Sequence, residues 1–155
     1  MSSISEPCLA NAFDSALLSL MWAALFGTLH AIAVCQAEKI DLGELARQWT
    51  ATAPIVEALV ADLIKRTNAG RFASDDKTLS SIAPHHGAFQ HLLELMEARK
   101  IDRSVVDGYD RIFLRAIASG HLHDDFAALS QFMGSRYKPS VFGMRLSPLP
   151  CLVAR

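Results

Sequence analysis

A chain of 155 residues, 51% hydrophobic and 20% charged, is long enough for one compact core and too short for a nucleotide-binding domain plus a second domain. Its 15 Lys and Arg against 16 Asp and Glu give a formal net charge of −1, so no excess of positive charge is available to hold phosphate backbones, and nucleic acid is excluded as an expected partner. The three cysteines, Cys8, Cys35 and Cys151, are odd in number and form no CxxC pair, a usage that fits free thiols and predicts a cytoplasmic protein.

The first element is a long helix around Asn11–His30. Between Asp14 and Glu38 there are 23 residues without Asp, Glu, Lys or Arg, long enough to cross a bilayer. Ser15, Ser19, Gly27, Thr28, His30 and Gln36 dilute that run, and neither a charged leader nor a small-residue cleavage site is visible. The preferred reading is a helix outside any membrane, buried on nearly every side where two subunits share a core.

Asp41 is expected to cap a second helix reaching about Asn68, with Ile55, Leu59, Leu63 and Ile64 on one side and Gly70 as its terminator. Pro54 is expected to bend or break it. A third helix is predicted from Ser74 or Asp75, with Leu79, Ile82, Phe89, Leu93 and Met96 at helical spacing and Arg99 and Lys100 suiting its last turn. A fourth spans Asp102 to about Ser119 and stops at Gly120; a short fifth spans about Asp124 to Met133. No comparable stretch alternates with period two, so the expected fold class is all-α, a bundle of about five helices. The expected organisation is a helical domain over 1–133 and a Pro-containing tail over 134–155. That tail has no acidic residue and is rich in basic and apolar ones, which leaves open a frayed terminus or a segment lying along an apolar groove.

Three stretches, AFDSALLSLMWAALFGTLHAIAV, SSIAPHHGAFQHLLELMEARKID and AIASGHLHDDFAALSQF, resemble in order and spacing the C-terminal helical domain of the NADPH-dependent imine reductases and reductive aminases. The resemblance covers roughly Leu9 to Met133. It implies a 6-phosphogluconate dehydrogenase C-terminal-like fold that pairs into an intertwined homodimer, with each active site between the Rossmann domain of one subunit and the helical domain of the other. A dinucleotide fold needs a glycine-rich turn after a strand, yet the eight glycines here are never closer than nine residues apart. No nucleotide cofactor is expected on this chain alone, and a separate Rossmann-type partner becomes a possible companion.

The resemblance also points to site residues. Asp14 resembles the aspartate used near the substrate amine, where it would stabilise an ammonium or iminium ion; alternatively it caps or pairs near the helix start. Trp22, eight residues on, stands where the family usually has a tyrosine or aspartate that donates a proton. An indole N–H is no acid near neutral pH, so that donor is replaced by a group suited only to binding. His85 resembles a Gln or His that points into the substrate pocket, and Pro84 beside it is expected to free the Ser80 carbonyl and kink the helix. Asp14 and His85 are the catalytic candidates; Trp22, Phe26, His86 and Phe89 are the substrate-binding ones. Both histidines have hydrogen-bonded structural roles as alternatives, and so does His30.

The run HLHDD at 121–125 has metal-ligand residue types, but an aspartate opening the last helix reads more simply as an N-cap, and no metal is expected. Of three functions weighed, the first is the expected one and the others are its alternatives. The domain keeps an apolar small-molecule cleft and performs non-redox chemistry, a cyclisation, elimination or isomerisation; or it binds a ligand without changing it; or it is the substrate half of a split reductase.

Overall fold

In the computed structural model the described residues are 6–134, so the tail expected over 134–155 lies, apart from Gly134, outside them. They form α1 (Glu6–Ala37), α2 (Leu42–Asn68), α3 (Ile82–Ala98), α4 (Val106–Ala118) and a 3₁₀ helix (Phe126–Phe132). No strand occurs among them, only an isolated antiparallel bridge between Ser81 and Asp125. The all-α expectation holds. By their contacts the described residues divide into two units, α1 as far as Ile32 and a compact body from Ala33 onward.

α1 is one uninterrupted helix of 32 residues. Its weakly polar side chains turn inward: Ser15 Oγ donates to the Asn11 carbonyl and Thr28 Oγ1 to that of Ala24. Hydroxyls satisfied by their own helix leave its surface to apolar groups. The expected burial is not found within one chain. Phe13 is 65% exposed, and Leu17, Leu18, Trp22 and Phe26 are all about half exposed.

In the body, Asp41 caps α2 by accepting the Glu44 N–H, as its position suggested. α2 runs through Pro54 unbroken, which corrects the expected break. Without an N–H, Pro54 cannot donate to the Thr50 carbonyl, and the bonds on either side carry the helix past it. Gly70 (φ 64°) and Gly120 (φ 90°) hold left-handed conformations just after α2 and α4, where a side chain would be strained.

α3 starts at Ile82, not at Ser74 or Asp75. Asp75 is drawn elsewhere: its carboxylate accepts from Arg66 Nη2 at 2.7 Å and Arg71 Nη2 at 2.6 Å, and from the Lys77 N–H at 2.9 Å. Pro84 therefore sits in the first turn of α3, where a missing N–H breaks no helical bond. The Ser80 carbonyl accepts the Phe126 N–H at 3.2 Å, so the expected kink is absent. At the other end α3 stops at Ala98, before Arg99 and Lys100. Lys100 has φ 54°, and Arg99 turns to Glu38, 2.6 Å away. α4 begins at Val106, after a turn in which Asp102 accepts the Ser104 N–H.

The core has two clusters. Ile82, Phe113, Ala116, Ala128, Leu129 and Phe132 pack where α3, α4 and the 3₁₀ helix meet, and Leu93, Met96 and Val106 pack near the α3–α4 turn. Beside the first, Arg66 is 1% exposed and lies 3.2 Å from Asp62, 2.7 Å from Asp75 and 3.2 Å from Asp125. A desolvated guanidinium is tolerable only with such partners. Its bonds join α2, the loop after it and the start of the 3₁₀ helix.

Candidate functional site

An open apolar groove of about 900 Å³ runs along the body between α2, α3, α4 and the 3₁₀ helix. Leu63 and Ile64 of α2, Phe89 of α3, Tyr109 and Phe113 of α4 and Met133 after the 3₁₀ helix form its walls. That volume and wall chemistry fall in the range of small-molecule sites. The groove exists because α2 presents more apolar residues than the core consumes: Ile64 remains 60% exposed.

His85, in the first turn of α3, borders this groove and also a smaller recess of about 160 Å³ lined by Val56, Leu59, Ser80 and Asp125 among others. Its ring packs on Phe126 with centroids 4.5 Å apart. Burial pushes the imidazole below its ordinary range, and the negative charge of Asp125 opposes that shift. The result is a ring biased to its neutral form, able to accept a hydrogen bond or a proton. Asp125 itself is 3% exposed and is fixed by two contacts, the Ala127 N–H on Oδ1 and Arg66 on Oδ2.

Of the candidates named from the sequence, His85 and Phe89 meet at this groove. His86 does not line it. One residue further along a helix points about 100° away, and His86 lies instead beside Asp110, 3.4 Å away, and Gln90, 2.9 Å away, with its ring 5.4 Å from Phe113. Asp14, Trp22 and Phe26 belong to the α1 unit, where all three are exposed and the two rings lie 6.3 Å apart. His121 pairs with Asp124 at 2.7 Å, and Asp125 is the N-cap that the HLHDD run suggested. Sequence reasoning passed over Tyr109, Phe126 and Met133, ordinary apolar or aromatic residues that only the packing brings to one groove. It also passed over Gln90 and Asp110.

Nothing among the described residues provides a strand followed by a glycine-rich turn. The described residues therefore hold no phosphate cradle of the dinucleotide-binding type, and what they do offer is apolar surface and a partly buried imidazole.

Comparison with known proteins agrees with this architecture. Residues 6–135 match the family model of the NADPH-dependent reductive aminase-like C-terminal domain. The chain is similar to an imine reductase from Myxococcus stipitatus solved with NADP+, at 43% identity and a TM-score of 0.79, over 81% of this chain and 45% of that one. An imine reductase from Bacillus cereus BAG3X2 shares the fold at 21% identity and a TM-score of 0.75, over 83% of this chain and 44% of that one. A reductive aminase from Aspergillus terreus, solved with NADPH and ethyl levulinate, shares it at 19% identity and a TM-score of 0.72, over 79% and 42%. A search of curated proteins gave no match. The chain thus spans less than half the length of these relatives, and it belongs to the NADPH-dependent reductive aminase-like C-terminal domain family.

Proposed function

We propose that this domain is the substrate-binding half of an imine- or amine-handling centre, with His85 as its proton-carrying group. The observation that carries this reading is the apolar groove of about 900 Å³ with a partly buried, neutral-biased imidazole at its edge. The groove takes up the hydrocarbon part of a small organic substrate, and the imidazole accepts or returns a proton at its nitrogen. A second copy of the chain covers the exposed apolar surface of α1, forming an intertwined homodimer in the cytoplasm. In that dimer the second copy's Asp14 faces the groove as a counter-charge for an ammonium or iminium ion, while Trp22 and Phe26 close its apolar wall. Reduction requires a nucleotide-binding domain, on a longer chain or on a separate one; the relatives solved with NADP+ or NADPH support that requirement.

A second reading keeps the same cleft but has it perform a cyclisation, elimination or isomerisation. It is favoured by Trp22, which offers no acid, and by His85, which can move a proton both ways. Titrating the purified protein with a small cyclic imine and its amine tests the common ground. Saturable binding is expected, weakened about tenfold by His85→Ala, the scale of one lost buried hydrogen bond; absence of binding by both compounds overturns either reading. Consumption of NADPH after adding the nucleotide-binding domain of a related imine reductase selects the first. Turnover without any nicotinamide selects the second.

A further inference from the structure

The polar trio between α3 and α4 is arranged for an imidazole that lacks its second proton. Gln90 Nε2 lies 2.8 Å from Asp110 Oδ1 and 2.9 Å from His86 Nε2, whereas His86 Nε2 and Asp110 Oδ1 are 3.4 Å apart. One side-chain amide has two hydrogens and can serve both acceptors. It does so only if His86 Nε2 is bare, which places the ring hydrogen on Nδ1. A proton added at Nε2 would set one N–H against another across 2.9 Å. The acceptor for that proton is already at hand, since Asp110 needs to approach by only about half an ångström to reach charge-assisted hydrogen-bonding distance.

We propose that His86, Gln90 and Asp110 form a proton-operated latch. When His86 takes a proton from solvent, its imidazolium displaces the Gln90 amide and bonds Asp110 directly. Both side chains are about one-fifth exposed, enough for protons to reach them and enough burial for the exchange to move neighbours. Asp110 is the ion-pairing partner of His86 among the described residues, and Gln90 is neutral. The nearby titratable group on the same helix, His85, lies against Phe126, and Asp125 at the start of the 3₁₀ helix is held by Arg66.

The latch reaches the groove through Phe113. That ring is 5.4 Å from the His86 ring, 5.4 Å from Phe89 and 5.9 Å from Phe126, and all three phenylalanines border the groove. A cationic ring is drawn to an aromatic face more strongly than a neutral one, so the latch pulls on the groove wall when the proton is taken up. The consequence for a ligand rests on reading the groove as a substrate cleft; the latch itself does not.

Long-range ¹H–¹⁵N correlation spectra of the full, ¹⁵N-labelled chain test the idea without any ligand, so failure of the cleft reading leaves the result interpretable. Above pH 8 His86 is expected as the Nδ1–H tautomer, and on acidification the Phe113 and Phe126 ring signals should move with the His86 midpoint. Gln90→Met should return His86 to the Nε2–H tautomer. Asp110→Asn should move the His86 midpoint, because the charged acceptor is gone. An Nε2–H tautomer in the native chain, or a midpoint unmoved by Asp110→Asn, overturns the latch. Ring signals silent through the titration overturn its link to the groove. If Asp110→Asn does not fold, the tautomer in the native chain and in Gln90→Met decides.

Discussion

His85 and Arg66 show two opposite treatments of a basic side chain. Among the described residues no carboxylate is hydrogen-bonded to the His85 ring, and burial holds its proton affinity down against the opposing charge of Asp125. Its folded pKa is below the unfolded value, so the unfolded chain binds the extra proton more readily and stability must fall as pH drops below about 6.5. Thermal unfolding between pH 7.5 and 5.5 should show that decline, and His85→Gln should flatten it; an equal decline in the variant would assign the effect to other groups. Arg66 has three carboxylates within 3.2 Å. Hydrogen bonds from Arg66 and then Arg71 hold the Asp75 carboxyl well below the usual range. A depressed carboxylate pKa gives stability that is present above about pH 4 and is lost as the acid range is entered. Arg66→Met strands Asp125 in the interior, and its Tm should drop by roughly 10 °C. A drop of only a degree or two would mean that solvent reaches the aspartates freely.

At the scale of elements, Pro54 makes the sharpest prediction. It interrupts the bonding of α2 without ending the helix, so Pro54→Ala should restore one backbone bond and add about 1–3 kcal/mol, the interior cost of proline less its benefit in the unfolded chain. Urea unfolding measures this, and a loss of stability would show that the proline ring is needed at that position. The same comparison explains what was readable from the sequence. The start of α2 and the ends of α2 and α4 were legible because Asp41, Gly70 and Gly120 act locally, through a cap bond or a left-handed φ. The start of α3 was not, because Asp75 answers to Arg66 from another element. Pro84 misled for the same reason: a proline signals disruption mid-helix but compatibility in a first turn, and only the true start separates the two. His85, named through the resemblance, and Phe89, on the predicted apolar stripe of the third helix, both line the groove. Tyr109, Phe126 and Met133 carry no chemical mark and become a wall only by packing. The neighbour His86 could not be separated from His85 without the phase of the helix.

For the whole molecule, the unmatched apolar surface is the dominant fact. Leu17, Leu18, Leu20, Trp22, Leu25 and Phe26 are each close to half exposed on a single helix. A soluble monomer rarely carries such a contiguous patch, and the helix from Ala10 to Ala37 also has the length and apolarity of a membrane span. The homodimer and a bilayer differ in what they require. Analytical ultracentrifugation without detergent should give a dimer at micromolar concentration, and Leu18→Asp should shift it toward monomer or aggregate. A protein that remains in the membrane fraction and needs detergent would overturn the soluble dimer. The relatives bear on scale too, since this chain spans 45% of the Myxococcus stipitatus imine reductase.

Arg66 also has a consequence in time. Its acidic partners are spread along the chain: Asp62 one turn back on the same helix, Asp75 in the following loop, Asp125 near the far end of the domain. During synthesis the guanidinium should stay hydrated while α2, α3 and α4 emerge, because Asp125, which completes its set of partners, comes later in the chain. Closure of the described body should therefore wait until the 3₁₀ helix has left the ribosome, and a chain stalled before Asp125 should remain open to proteases along α2.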